Sequence, residues 1–309
     1  MDSNRRFYED EVAGMIRARF GGVEERIAVG IAGEGSDCFG YDDAISRDHD
    51  FGTGVCLWLT DEDMAAFGAE LAAAYDALVA EKERSYYTER LRERRGVMTV
   101  HDFYSKILSV DCNTRDCVLS EEQWRVLDHS CLATAVNGEV FRDDVGEFSR
   151  FRRLLLGYYP DRVWRMRLAE KMHEFSAMLQ VNYARCMSRG DLVAAETCRI
   201  GGMRAAMELF FLLKRTYMPF YKWSFKALTE LDGAGDFSRK IRELAGLKSD
   251  PAAWEHTKYH PNRPNLSDRV IGVSEDIGYD LSEMLKERGL VSRINPYLEA
   301  DVSTVLAEG

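Results

Sequence analysis

The residues with the clearest chemical potential lie between Gly33 and Gly52, in the string GEGSDCFGYDDAISRDHDFG. A glycine–serine turn, Gly35-Ser36, stands near its start, and an Asp-x-Asp pair, Asp48 and Asp50, near its end. A turn of this kind just beyond a buried strand presents backbone N–H groups and a hydroxyl, which suit phosphate oxygens. Two carboxylates two positions apart on a strand project to one face, where they can chelate one divalent cation or bridge two. Together these groups could clamp a nucleoside triphosphate through Mg²⁺ and the backbone. Such a site performs phosphoryl or nucleotidyl transfer by positioning and charge neutralisation. The competing reading is a solvated acidic loop formed by Asp37, Asp42, Asp43, Asp48 and Asp50. An EF-hand loop does not fit, because the alternating ligands, central glycine and closing glutamate are missing. The order strand, Gly-Ser, Asp-x-Asp, strand favours the metal–nucleotide reading.

The flanking elements must hold these groups in place. An amphipathic helix carrying Phe7, Tyr8, Val12, Met15, Ile16 and Phe20 closes at Gly21-Gly22. The run Ile27 to Ile31 is too short and β-branched for a helix and predicts a buried strand leading straight into the turn. Phe51 to Leu59 predicts a second strand, Asp61 to about Lys82 an alanine-rich helix with an acidic first turn, and Val97 to Val100 a third strand. These elements make a first domain over residues 1–118. Helices dominate thereafter, giving a second, all-helical domain over 119–309. Ser120 caps a helix that ends at Asn137-Gly138, and a short helix from Phe151 stops at Pro160. A long helix spans about Val163 to Arg189; Asp191 caps the next, to about Tyr217, and a final helix runs from Ser267 to about Arg288. The predicted fold class is therefore α+β: a small mixed sheet with helices, followed by a helical C-terminal region.

Composition narrows the function classes. At 309 residues, 46% hydrophobic and 30% charged, the chain is neither disordered nor of low complexity. A net charge of −11 argues against extensive DNA binding and against an anionic membrane surface. No window holds the ~20 apolar residues of a membrane span. Seven scattered cysteines, with no apolar signal-like stretch at the charged start, point to reduced thiols in a cytoplasm.

At Gly35-Ser36 and Asp48-His49-Asp50 the sequence resembles the DNA polymerase β-type nucleotidyltransferase superfamily, with its glycine–serine turn and D-x-D pair. The longer string GSDCFGYDDAISRDHDFG is similar to the bacterial domain of unknown function 4037 family. YYPDRVW (Tyr158 to Trp164), VNYARCMSRGD (Val181 to Asp191) and PFYKW (Pro219 to Trp223) extend that resemblance, which covers about residues 27 to 247. It implies a small nucleotidyltransferase-type mixed sheet with a helical domain behind it. It also implies that Gly35 and Ser36 hold the triphosphate and that Asp48 and Asp50 hold Mg²⁺. The superfamily carries a third carboxylate on a later strand that helps activate the attacking hydroxyl. Asp102 is the nearest acid to the third strand, and Asp111 is the alternative.

Further candidates come with plain alternatives. Lys222, in Phe220-Tyr221-Lys222-Trp223, is expected to reach the triphosphate across a domain cleft, or else to snorkel beside an aromatic cluster. Arg47 and Lys106 could face phosphate or remain surface charges. Asn182, Tyr183 and Arg185 break the apolar stripe of the long helix, and line an acceptor pocket or satisfy interhelical hydrogen bonds. Arg167 and His173 lie six apart, about 240° around a helix, and so do not share a face.

The expected function is Mg²⁺-dependent transfer of an NMP, expected to be AMP from ATP, to a hydroxyl-bearing small molecule or RNA end, with release of pyrophosphate. The alternative is a non-catalytic nucleotide-binding or antitoxin-like interaction protein of the same fold. A third reading, of another class, is a helical structural protein whose acidic loop binds nothing.

Overall fold

The computed structural model describes residues 2–43, 53–82 and 93–307. The fold is α+β, with a four-stranded mixed sheet and a helical C-terminal region. The chain divides into two compact units, Met1–Tyr158 and Tyr159–Gly309.

In the first unit the sheet order is β3-β2-β1-β4, with β1 Ala28–Ile31, β2 Cys56–Leu59, β3 Gly96–Thr99 and β4 Glu139–Arg142. β1 pairs antiparallel with both β2 and β4, while β2 and β3 run parallel. Because successive strand residues face opposite ways, the sheet has two apolar faces. Val29, Leu57 and Leu59 pack with Val12, Ile16 and Phe20 of helix α1 (residues 2–20) and with Leu71, Tyr75 and Val79 of helix α3 (residues 61–82). The neighbouring residue Trp58 faces the other way. There it stacks on Phe148, centroids 3.7 Å apart, and meets Phe103 edge-on. Phe103 belongs to α4 (Val100–Leu108) and Phe148 to α7 (Glu147–Leu156), so helices cover both faces. Between β1 and β2 lies the single-turn helix α2, Ser36–Phe39.

Three local features depart from the sequence expectations. The Ser120 cap is present as a full capping box with Gln123, but α5 covers only Glu121–Val126. Leu127 turns extended, and the Asp128 side chain caps a separate helix α6, His129–Val136, by accepting from Ser130 N–H. The third strand ends at Thr99, whose hydroxyl caps α4 through Asp102 N–H, so Val100 is helical. Strand β4, which the sequence pattern does not signal, pairs with β1. That pairing puts residues 119–158 in the first unit, whereas the sequence places a boundary at 118/119.

The second unit is all helix and connecting loop among the described residues. Helix α8 (residues 161–189) contains a π-helical stretch, Ser176–Asn182, and ends at Gly190 in the left-handed conformation, φ 75°. Asp191 then caps α9, Leu192–Leu213, by accepting from Ala194 N–H at 3.1 Å. Helices α8 and α9 form a hairpin that packs closely, with Gly202 against Leu179. Helices α10 (Tyr221–Asp232), α11 (Phe237–Gly246), α12 (Arg269–Glu287) and α13 (Val302–Ala307) complete the unit. Asp268, which caps α12, is buried and accepts from Tyr183 Oη at 3.1 Å and Trp254 Nε1 at 2.7 Å.

Candidate functional site

The glycine turn follows β1 directly. Gly35 has φ 126°, and a Cβ built there would sit 2.3 Å from Asp37 Oδ1, so only glycine fits both the backbone and the space. Ser36 then opens α2, and its hydroxyl donates to Asp42 Oδ1 at 2.7 Å. The N–H groups of Gly35 and Ser36 find no acceptor among the described residues. The turn therefore offers two free backbone donors and a hydroxyl beside a carboxylate.

A buried polar network holds this shape. Asp37 accepts from Arg95 Nη2 at 3.0 Å, from Cys38 N–H at 3.0 Å and from Asn4 Nδ2 at 3.4 Å. Arg95 sits one residue before β3 with its side chain only 1% exposed, and also donates to Ala32 O at 3.4 Å and to Cys38 Sγ at 3.2 Å. Burial disfavours the Arg95 charge, but the neighbouring Cys38, Cys56 and Asp37 groups outweigh it and raise its pKa above the ordinary value. Burial pushes the Cys38 thiol up to about 12, so it stays protonated and donates to Glu34 O. Asn4 is buried too, and its Oδ1 accepts from Gly54 N–H at 3.0 Å, just before β2. None of Asn4, Asp37 and Arg95 stands out in the sequence as a site residue. An arginine immediately before a strand carries no local signal that it is buried.

The other side of the turn is held from the α6–β4 corner. The Asn137 side chain accepts from Gly33 N–H and donates to Gly33 O, both at 2.8 Å. Gly138 N–H donates to Cys38 O at 2.8 Å.

Of the residues singled out in the sequence, Arg47, Asp48 and Asp50 lie outside the described residues. The chain on either side of them is tied to the turn. Asp42 meets Ser36 on one side, and Gly54 meets Asn4, a partner of Asp37, on the other. Asp102 lies elsewhere. β1 runs antiparallel to β2 and β3, so Ser36 follows the sheet end where Gly30, Cys56 and Gly96 align. Asp102 follows the opposite end, where Leu59 and Thr99 align, roughly 10 Å of sheet away. There Asp102 Oδ1 faces His101 Nδ1 at 3.6 Å, and Asp111 Oδ1 accepts from His101 Nε2 at 2.8 Å. Both acids are largely exposed. Asp102 and its alternative Asp111 thus lie at the sheet end opposite the Gly35–Ser36 turn. The strand ends one residue earlier than the pattern suggests, and the acid falls in a helix start.

The remaining candidates belong to the second unit. Tyr183 is fully buried with its hydroxyl on Asp268, which makes it an internal brace rather than a pocket wall. Asn182 ends the π-helical stretch, and Arg185 is exposed over the Tyr259 ring at 5.1 Å. Lys222 is exposed in the first turn of α10, 5.3 Å from the Phe220 ring centroid and 5.8 Å from that of Trp223. Arg167 lies over Tyr159, and His173 pairs with Glu299, so the two do not converge. Among the described residues no three His, Cys, Asp or Glu side chains are placed to hold a metal ion.

Residues 124–224 match the family model described as Domain of unknown function (DUF4037). The match is narrower than the resemblance read from the sequence. It includes the strings at Tyr158, Val181 and Pro219, supports the resemblance there, and leaves out the glycine turn. Neither a curated protein nor a solved structure matches the chain.

Proposed function

We infer that this protein binds a nucleoside triphosphate with Mg²⁺ at the Gly35–Ser36 turn and transfers its NMP to a hydroxyl-bearing acceptor. The observation that carries the reading is the turn itself. Among the described residues it has two N–H groups without acceptors and a hydroxyl on a carboxylate, and Asp42, before the segment that carries Asp48 and Asp50, meets Ser36. The side chains that the sequence offers a cation here are oxygen donors: Ser36, Asp42, Asp48 and Asp50. That donor set suits a hard ion such as Mg²⁺ and not a thiophilic one. When bound, Mg²⁺ would neutralise phosphate charge. The Gly35 and Ser36 N–H groups would hold phosphate oxygens, the Ser36 hydroxyl would orient one of them, and Asp48 and Asp50 would be the cation ligands.

Asp102, the nearest acid to the third strand, follows the sheet end opposite the turn. That favours, as the second reading, a nucleotide-binding protein of the same fold without transfer. Calorimetric titration with ATP in the presence and absence of Mg²⁺ tests binding. Asp48→Asn and Asp50→Asn should each abolish the Mg²⁺-dependent part while leaving the melting transition in place. Equal affinity in wild type and both variants overturns the assignment. Pyrophosphate release in the presence of hydroxyl acceptors separates the two readings.

A further inference from the structure

Arg152 is a half-buried cation with no carboxylate among its described partners. From α7 its Nη2 donates to three backbone carbonyls: Val136 at 2.6 Å, Asn137 at 3.1 Å and Gly138 at 3.2 Å. Its Nε is buried and unpartnered, and burial pulls the guanidinium below its ordinary pKa. Val136 is the last residue of α6, so these carbonyls are the ones a helix end and the following corner leave unsatisfied. A cation at a helix C-terminus suits the dipole, and a planar fork can serve several oxygens at once. The corner that Arg152 fixes is also the one that grips the glycine turn at both ends. Asn137 exchanges two hydrogen bonds with Gly33, and Gly138 N–H holds Cys38 O. Gly33 and Cys38 bracket Gly35 and Ser36. A segment with glycines at φ 100° and φ 126° has many alternative conformations, so the direction of its free N–H groups depends on such anchors.

We propose that Asn137, held by Arg152, is the positioning residue of the Gly35–Ser36 turn and sets its N–H groups for the phosphate chain of the ligand. The proposal rests on the nucleotide reading. It goes further by naming the residues through which the family-matched segment acts on a turn that lies outside the match.

Hydrogen exchange and ligand titration together test it on the full chain, using Arg152→Met, Asn137→Ala and the milder Arg152→Lys and Asn137→Asp. In R152M the Gly33 amide, which Arg152 does not touch, should exchange at least tenfold faster, while the β1 amides keep their wild-type rates. The Kd for Mg²⁺·ATP and for Mg²⁺·tripolyphosphate, which has no base, should rise together about tenfold in R152M and N137A. R152K should restore affinity to within about threefold of wild type, and N137D, which keeps only the acceptor, should fall between. Should R152M or N137A not fold, the two milder variants carry the comparison. A wild-type exchange rate at Gly33 in R152M with unchanged tripolyphosphate affinity in R152M and N137A, or in N137D where those two do not fold, overturns the positioning role. If wild type binds neither ligand, the nucleotide reading falls, and the exchange rates alone decide the link from Arg152 to the turn.

Discussion

At the scale of the residue, His101 and Cys38 show how partners and burial set proton affinity. The Asp111 hydrogen bond to His101 raises the imidazole pKa above 6.5, outweighing the opposing effect of burial, with a smaller contribution from Asp102. A raised folded-state value stabilises the protein fully below the unfolded pKa and less as pH climbs through the folded one. The His101 ring resonances should therefore titrate above 6.5 in an NMR pH series, and Asp111→Asn should move the midpoint down. A midpoint unmoved by that change would show that Asp111 is not the cause. Cys38 is raised as well but kept neutral, since burial outweighs the lowering by Arg95 and holds its thiol protonated up to about 12. Native protein treated with iodoacetamide at pH 8 should remain unmodified at Cys38 and Cys56, with both labelled after denaturation, as read by peptide mass mapping.

At the scale of the element, caps and close approaches decide where helices and strands stop. The Ser120–Gln123 capping box satisfies two otherwise orphaned donors at the start of α5. Ser120→Ala should cost about 1 kcal/mol in denaturant unfolding, with activity untouched. Gly138 is more demanding. Its φ is 69°, and a Cβ there would lie 1.9 Å from Ile31 O, so the corner could not keep β4 against β1. Gly138→Ala should destabilise by well over 1 kcal/mol. It should also loosen the turn through the bond from its N–H to Cys38 O. A Gly138→Ala protein with wild-type midpoint and exchange pattern would mean that the corner yields without cost.

At the scale of the whole molecule, the pairing of β4 with β1 decides where the first unit ends. A fragment ending at Val118 lacks β4, the Asn137 clamp and Phe148, and leaves the β1 edge and the Trp58 face bare. A fragment ending at Tyr158 keeps them all. Residues 1–158 should give a monodisperse peak and a cooperative melt, whereas residues 1–118 should aggregate. Equal behaviour of the two fragments would contradict the assignment of residues 119–158 to the sheet. In the described residues no helix is long and apolar enough to cross a membrane. The net charge of −11 disfavours an extended anionic partner, although it leaves room for one phosphate chain at a local turn.

What the sequence alone determined about this protein was local. The β-branched run before Gly33, the Ser120 cap, and the Gly190-Asp191 break between two long helices each depend on residues within a turn or two of one another. Their backbone preferences survive any fold. The glycine turn was legible for the same reason, since Gly35 is required by its own φ. Tertiary structure decided the rest. Strand β4 has no strong pattern, with all four residues half-buried, and becomes a strand because β1 offers an edge. Asp102 falls at a helix start on the sheet end opposite the turn, because β3 runs parallel to β2 and antiparallel to β1. Asn137 clamps a residue 104 positions away, and Arg95 reaches an aspartate 58 positions away. Neither partner is marked in the sequence, because a hydrogen bond across that separation leaves no periodicity and exists only once the sheet has brought both chains to the same end.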